Sequence, residues 1–446
     1  MTEQNEPWAA PEADAPLCAT VSVPGSKSLT NRELVLSALA EKPSTLRAAL
    51  ISRDSQLMIA ALRQLGTGIQ YAIDGRKFQE ATGAIRAGSD GNADLRLVPS
   101  AQMRGNTHIQ CGLAGTVMRF MPAVAALAQG EVSFDGDEYA RQRPMRPVLQ
   151  ALRELGVAVT AAPGDKMPFT VHGTGKVRGG RVEIDASASS QFVSGLLLAA
   201  PRFAEGIHII HTGDILPSQP HIEMTLQVLK QRGVEAEAIA PGQWRVKPGP
   251  IAAAEATIEP DLSNAAPFLA AALVSGGSVT VKNWPAKTTQ VGDQLRQILP
   301  LFGAEISQKN DLLTVRGTGK IKGVKLHLPE AGELAPTLIG LAALAETSSE
   351  ITGIGHIRHH ETDRIAALAT EINRLGGRAR ELPDGIALTP APLHGETWRC
   401  YADHRMATTA ALIGLRVPGV KIDDIACTTK TLPDFPAMWA AMLEKK

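Results

Sequence analysis

The sequence predicts an α/β (α+β) protein of two domains in which the helices form the interior and the sheets wrap them, an inside-out barrel. Three observations predict it. A helix–strand–helix unit followed by one or two strands recurs six times along the 446 residues. The first helix of each unit is apolar almost all round, so it must be buried. Six such units exceed one comfortable hydrophobic core, which favours two domains of three units each.

The elements follow in order. The first helices are expected at 28–39, 115–127, 190–200, 263–274, 333–345 and 403–415, each opened by a small polar turn. Strands follow near 132–134, 207–210, 278–281 and 420–422. Second, amphipathic helices are expected at 145–155, 221–231, 291–301 and 362–375. Helical patterns stop at Gly66, Gly156, Gly233, Gly303 and Gly376, where a left-handed residue would end the helix before a short strand. The break between three-unit halves should fall near Ile258–Pro260.

Composition narrows the function classes. Lys plus Arg and Asp plus Glu balance at 45 each, so no global field attracts nucleic acid or anionic lipid. Aromatics make up only 4%, too few for a base-stacking platform. Cys18, Cys111, Cys400 and Cys427 lack metal or disulfide-framework spacing and read as free thiols in a reducing compartment. Residues 1–16 are acidic and rich in Ala and Pro, unlike a signal or transit peptide, and read as a flexible tail. No uninterrupted apolar run is long enough to span a bilayer. A cytoplasmic protein without membrane or nucleic-acid partners is expected.

The most informative stretch is Pro24–Arg32, Pro-Gly-Ser-Lys-Ser-Leu-Thr-Asn-Arg. It sets Lys27, Arg32 and several small polar side chains on a turn that opens an apolar helix. Free N–H groups, the helix dipole and two cations together suit a phosphate or carboxylate. A nucleotide P-loop fits poorly, because Ser26 and Val21 stand where that pattern needs Gly. Counterparts open or link the other units: Gly112–Arg119, Arg141–Arg146, Ser189-Ser190-Gln191, Ser218-Gln219-Pro220, Glu333, His359–Arg364, Asp403-His404-Arg405 and Thr429-Lys430-Thr431. Each alone could be a capped helix or a solvated face. If pseudo-symmetric ends converge, they gather many cations with few carboxylates, a site for a substrate with more than one anionic group. His356, His359, His360 and Glu361 lack metal-site spacing, and neither metal nor cofactor is expected.

These motifs, in this order, resemble those of the 5-enolpyruvylshikimate-3-phosphate synthase family of enolpyruvyl transferases. The resemblance runs from about Leu17 onward and rests on Pro24–Arg32, Leu113–Arg119, Arg143-Pro144, Ser189–Gln191, Glu361–Arg364, Asp403–Met406, and Lys430 with Pro433-Asp434. It implies two domains of three βαβαββ-type units: residues 1–24 with 259–446, and residues 25–258, joined by two crossovers, with the active site in the cleft between them. It implies transfer of the enolpyruvyl group of phosphoenolpyruvate to the 5-hydroxyl of shikimate 3-phosphate by addition and elimination, without metal, by a monomer. Ser28, Arg32, Ser189, Ser190, Gln191 and Ser218 would hold shikimate 3-phosphate, with Lys27, Glu333 and His360. Gly115, Arg143, Gln191, Arg364, Arg405 and Lys430 would hold phosphoenolpyruvate, again with Lys27. Glu333 would take the proton of the attacking hydroxyl, and Glu361 with Lys27 would protonate and deprotonate the methylene.

Four positions depart from the family's usual pattern: Glu333 for Asp, Leu113 for Asn, His360 for Lys and His356 for Asn. Each changes one expected substrate contact. Two other readings compete. The sister transferase acting on UDP-N-acetylglucosamine carries a Cys in the loop before the Arg-Pro motif, and residues 132–143 contain none. A non-catalytic phosphate- or RNA-end-binding module would have little use for Glu333 and Glu361.

Overall fold

The structure, a computed structural model, describes residues 6–444. The chain divides into two compact units, one built from the segment ending at Val23 and everything from Glu259 on, the other from Pro24–Ile258. Each unit holds three sheets and its own apolar core.

Five of the six sheets share one plan. Strand Thr107–Gln110 lies parallel to Gln129–Asp135, which pairs antiparallel with Lys166–Thr174, which pairs antiparallel with Ala158–Ala162. A parallel pair needs a crossover, and here the crossover is the buried helix Gly115–Ala125. The same parallel pairing recurs between Gly180–Ile184 and Ile207–His211, and between Lys325–His327 and Ser349–Thr352. Two sheets exchange their first strands. Cys18–Val21 pairs with Ser278–Val281, and Glu255–Thr257 pairs with Ser44–Leu50. Each exchanged strand therefore ends where the chain passes from one unit to the other.

The six interior helices are Lys27–Leu39, Gly115–Ala125, Gln191–Ala199, Leu262–Ser275, Ala335–Ala343 and His404–Gly414. Almost every side chain on them is buried, as apolar character on all faces requires. Their bounds differ from the sequence expectation by only a few residues at the ends. The five helix-ending glycines all take positive φ, from 75° at Gly233 to 104° at Gly303. One second helix is not continuous. The stretch expected as 291–301 is a 3-10 turn at Val291–Gln294, a short α-turn at Leu295–Ile298 and another 3-10 turn at Leu299–Phe302. Pro300 has no N–H to continue the α-helical ladder there.

The acidic N-terminal segment is not a free tail where it is described. Trp8–Ala9 pairs antiparallel with Lys421–Ile422, next to the parallel partner Thr397–Trp398. Ala10 N donates to Val420 O at 3.0 Å and Ala13 N to Leu415 O at 3.0 Å. Composition points to a tail, but an open sheet edge and the apolar Trp8 outweigh it. Residues 1–5, which share that expectation, lie outside the described residues.

Candidate active site

In the Pro24–Ile258 unit, polar groups gather around the start of helix Gly115–Ala125. Its N-cap Ala114 offers no side-chain acceptor, so the first N–H groups are left for another acceptor. A Cβ placed on Gly115 would stand 3.0 Å from Gln191 Oε1, 3.2 Å from Arg119 Nη1 and 3.3 Å from Arg143 Nη2. Glycine therefore keeps the space between this backbone, Gln191, Arg119 and Arg143 open. Arg143 Nη1 donates to Leu113 O at 3.1 Å, while Arg143 Nε and Gln191 Oε1 are buried without a hydrogen-bond partner. Such groups are costly in an apolar interior unless a ligand uses them.

The first motif lies in the same unit. Ser26 caps helix Lys27–Leu39 by accepting from Leu29 N. Lys27 Nζ stands 3.5 Å from Asp54 Oδ2, a buried carboxylate in the first turn of helix Arg53–Gln64. Ser189 Oγ accepts from Gln191 N at 3.2 Å, and Ser190 occupies the N-cap of helix Gln191–Ala199 without a capping bond from its side chain. Ser218 starts helix Gln219–Gln231 from a left-handed conformation, φ 52°, unusual outside glycine.

The other unit holds an ion network of opposite make-up. Arg364 Nε and Nη2 grip both oxygens of Asp403, at 2.7 and 3.1 Å. Nη2 also reaches Glu361 Oε2 at 2.8 Å, and Nη1 lies 3.0 Å from His360 Nδ1. Because a guanidinium can only donate, His360 Nδ1 is the acceptor of this contact. Lys430 Nζ pairs with the other oxygen of Glu361. Glu333 Oε1 accepts from Ser263 Oγ at 2.8 Å, and Arg405 Nη1 donates to Ser263 O at 2.8 Å. Burial works against the charge of Arg364, but Asp403 and Glu361 more than offset it and raise its pKa.

His356 sits beside this network with Nε2 buried and without a hydrogen-bond partner, so close that a Cβ on Gly332 would meet it. Burial, then the charge of Arg364, lowers its pKa from 6.5 to about 4. Folded His356 thus stays neutral while the unfolded residue takes up a proton. Its stabilising share is present above pH 6.5 and is lost as pH falls toward 4. Urea unfolding at neutral pH and at a pH between those two values should show a smaller acid loss for His356→Gln than for wild type; equal losses would rule this group out.

The structure sorts the expected residues. It brings Gly115, Arg143 and Gln191 together in one unit, and Glu361, Arg364, Lys430 and His360 together in the other. Arg32 is different. Its guanidinium is buried and donates to Thr225 Oγ1 at 2.8 Å, Ser28 O at 2.9 Å, Ser194 Oγ at 3.4 Å and His221 O at 2.8 Å. Four of its five N–H groups are thus already directed at protein acceptors. The Arg141–Arg146 cluster separates: Arg141 pairs with Asp135, Arg146 lies 3.7 Å from Asp165, and only Arg143 joins the Gly115 turn. Leu113 turns its side chain into the core, and what serves Arg143 there is a carbonyl that any residue would supply.

Two residues reach the site without a signal in their own sequence context. Asp54 reads as an ordinary first-turn acid and Ser263 as a helix opener, and neither announces its distant partner, Lys27 or Glu333. Among the described residues no group of three or more His, Cys, Asp or Glu could hold a metal ion. No helix of the described residues is long and apolar enough to cross a membrane.

A family model for EPSP synthase (3-phosphoshikimate 1-carboxyvinyltransferase) matches residues 11–439. A curated 3-phosphoshikimate 1-carboxyvinyltransferase of Kocuria rhizophila is 53% identical over 445 residues, 99% of this chain and 97% of that protein. The chain belongs to the EPSP synthase family. Two solved structures of EPSP synthase from Acinetobacter baumannii superpose with TM-scores of 0.74 and 0.73, at 22% and 21% identity. Each covers 97% of this chain and 96% of the solved one, which establishes the EPSP synthase fold.

Proposed function

We propose that this enzyme is a 3-phosphoshikimate 1-carboxyvinyltransferase of aromatic amino acid biosynthesis. It transfers the enolpyruvyl group of phosphoenolpyruvate to the 5-hydroxyl of shikimate 3-phosphate and releases phosphate. One observation supports this reading: the chain has both a glycine turn beside Arg143, at Gly115, whose cation and open backbone suit an anion, and a carboxylate, Glu361, held by Lys430 and Arg364. A pure anion binder needs the first; proton transfer to carbon needs the second.

The roles follow from the chemistry. Phosphoenolpyruvate carries a phosphate and a carboxylate, and Lys27, Gly115, Arg143, Gln191, Arg364, Arg405 and Lys430 are assigned to them. Ser28, Arg32, Ser189, Ser190, Gln191, Ser218, His360 and Lys27 are assigned to shikimate 3-phosphate. The enol carbon of phosphoenolpyruvate is a poor electrophile until its methylene is protonated, the task of Glu361 with Lys27. Glu333 accepts the proton of the attacking hydroxyl, its oxygen already aligned by Ser263. Charge gathering on the departing phosphate is met by fixed cations. The same reading makes the enzyme a cytoplasmic monomer, with the phosphoenolpyruvate subsite as the place where glyphosate, the family's inhibitor, would compete.

Turnover in deuterium oxide tests the mechanism. Protonation makes a methyl group, and its reversal removes one of the methyl hydrogens, so the product's methylene should carry solvent deuterium. A product free of deuterium would contradict the addition–elimination route, and no product at all would contradict the function.

Gly115→Ala gives a sharper test of the subsite. The added methyl sits against Gln191, Arg119 and Arg143. One misplaced methyl is worth about 10–100-fold in discrimination, so KM for phosphoenolpyruvate should rise by that order. The methyl also forces these buried neighbours to give by a few tenths of an ångström, so a thermal melt run beside the kinetics separates a packing loss from a subsite loss. An unchanged KM would remove Gly115 from the subsite.

A further inference from the structure

Two segments assigned to shikimate 3-phosphate leave the ends of neighbouring strands. Gly180–Ile184 and Ile207–His211 run parallel, with Ile184 paired to His211. The chain after Ile184 leads to Ser189, Ser190 and Gln191, and the chain after His211 leads to Ser218. Loops at the carboxyl ends of parallel strands are where α/β sheets ordinarily hold ligands.

One imidazole joins the two segments. Ala186 N donates to His211 Nδ1 at 3.1 Å. A backbone N–H can only donate, so Nδ1 is the acceptor. Ile184 O, 3.3 Å from Nδ1, already accepts from Thr212 N at 3.1 Å. The contact is passed on along the turn. Ala186 O accepts from Ser189 N at 3.0 Å, and Ser189 Oγ accepts from Gln191 N at 3.2 Å. Asp185 Oδ1 accepts from Ser187 N at 2.9 Å and closes the start of the same turn. Packing leaves no slack between the segments. A Cβ on Gly213 would collide with Ser187 Oγ, Asp185 Oδ1 and His211 Cε1.

The other ring nitrogen contributes nothing of this kind. His211 Nε2 is buried without a hydrogen-bond partner. A buried polar atom left unpaired is costly, so an apolar side chain would suit mere packing better at this position.

We propose that His211 is a positioning residue for shikimate 3-phosphate: by accepting from Ala186 N it holds the turn that presents Ser189 and Ser190. Without that acceptor the turn is less ordered before the substrate arrives, and the cost of ordering it falls on binding. Gly115, Arg143, Arg364, Arg405 and Lys430, assigned to phosphoenolpyruvate, lie outside this turn. Gln191, assigned to both substrates, is set by the buried helix that it opens. The choice of substrate rests on the transferase reading; the hold on the turn does not.

Two variants separate the acceptor from the bulk of the ring. His211→Leu fills the space and accepts nothing, whereas His211→Asn sets a carbonyl oxygen about where Nδ1 stands. Steady-state kinetics with each substrate varied, amide exchange at Ala186 by NMR and a thermal melt are measured on the full chain. His211→Leu should raise KM for shikimate 3-phosphate about tenfold, the worth of one buried donor left unpaired. It should leave KM for phosphoenolpyruvate at the wild-type value and speed exchange at Ala186, and His211→Asn should match wild type in all three. Both KM values rising together, neither rising, or asparagine no better than leucine would each overturn the proposal. Should His211→Leu not fold, His211→Asn decides alone: a wild-type KM supports the role and a tenfold rise overturns it. If the wild type does not turn over the two substrates, the transferase reading fails. Exchange at Ala186 then still decides the hold on the turn, which an unchanged rate in His211→Leu would overturn.

Discussion

Lys27→Ala is expected to lower kcat by about 10³–10⁴-fold, the share ordinarily contributed by a positioned proton-transfer group and fixed charge together. Stability should change far less. The Lys27 ammonium is partly exposed and stands 3.5 Å from the buried Asp54 carboxylate, and leaving that carboxylate without its partner costs about 1–3 kcal/mol. Asp54 remains at the N-terminal turn of its helix, where the dipole favours a negative charge. Steady-state kinetics beside a urea melt separates the two effects. Turnover within about tenfold of wild type would remove Lys27 from the chemistry, and a loss of folding would show that it holds the motif together.

Arg364→Leu carries the largest expected cost in stability. Its guanidinium is the common partner of Asp403 and Glu361, and the Asp403 carboxylate is fully buried. Removing the cation leaves buried negative charge unpaired, at about 3–5 kcal/mol. It also frees Asp403, which caps helix His404–Gly414 through Arg405 N. A double-mutant cycle with Asp403→Leu isolates the pair. The double variant should be less destabilised than the sum of the singles, because no orphaned charge remains. Simple additivity would mean that the bidentate contact contributes nothing of its own.

The architecture was legible because it repeats. Helices too apolar to face water, stopping at glycines that all take positive φ, specify an interior and a rhythm that no single segment shows. The crossing at 23–24 is less visible than the one at 258–259, since it depends on Cys18–Val21 pairing with Ser278–Val281 far along the chain. Local composition misleads at Trp8–Ala13, where strand pairing outweighs an acidic, Pro-rich context.

The candidate site was legible as a set of residue types and less so as a set of partners. Lys27, Arg143, Glu361 and Lys430 announce themselves through polar turns at helix starts and in the linkers between elements. Asp54 does not, because a first-turn acid is ordinary in any helix. Arg32 announces itself and is nevertheless held by protein acceptors, since motif membership says nothing of which donors are already taken. Long-range pairs such as Arg364 with Asp403 leave no local trace.

Phosphate release by the purified chain, with phosphoenolpyruvate and either shikimate 3-phosphate or UDP-N-acetylglucosamine, with and without EDTA, tests the central claim most directly. Release with shikimate 3-phosphate alone, undiminished by the chelator, is the predicted result. Release only with the nucleotide sugar would assign the chain to the sister reaction, and loss of activity with EDTA would contradict catalysis by side chains alone.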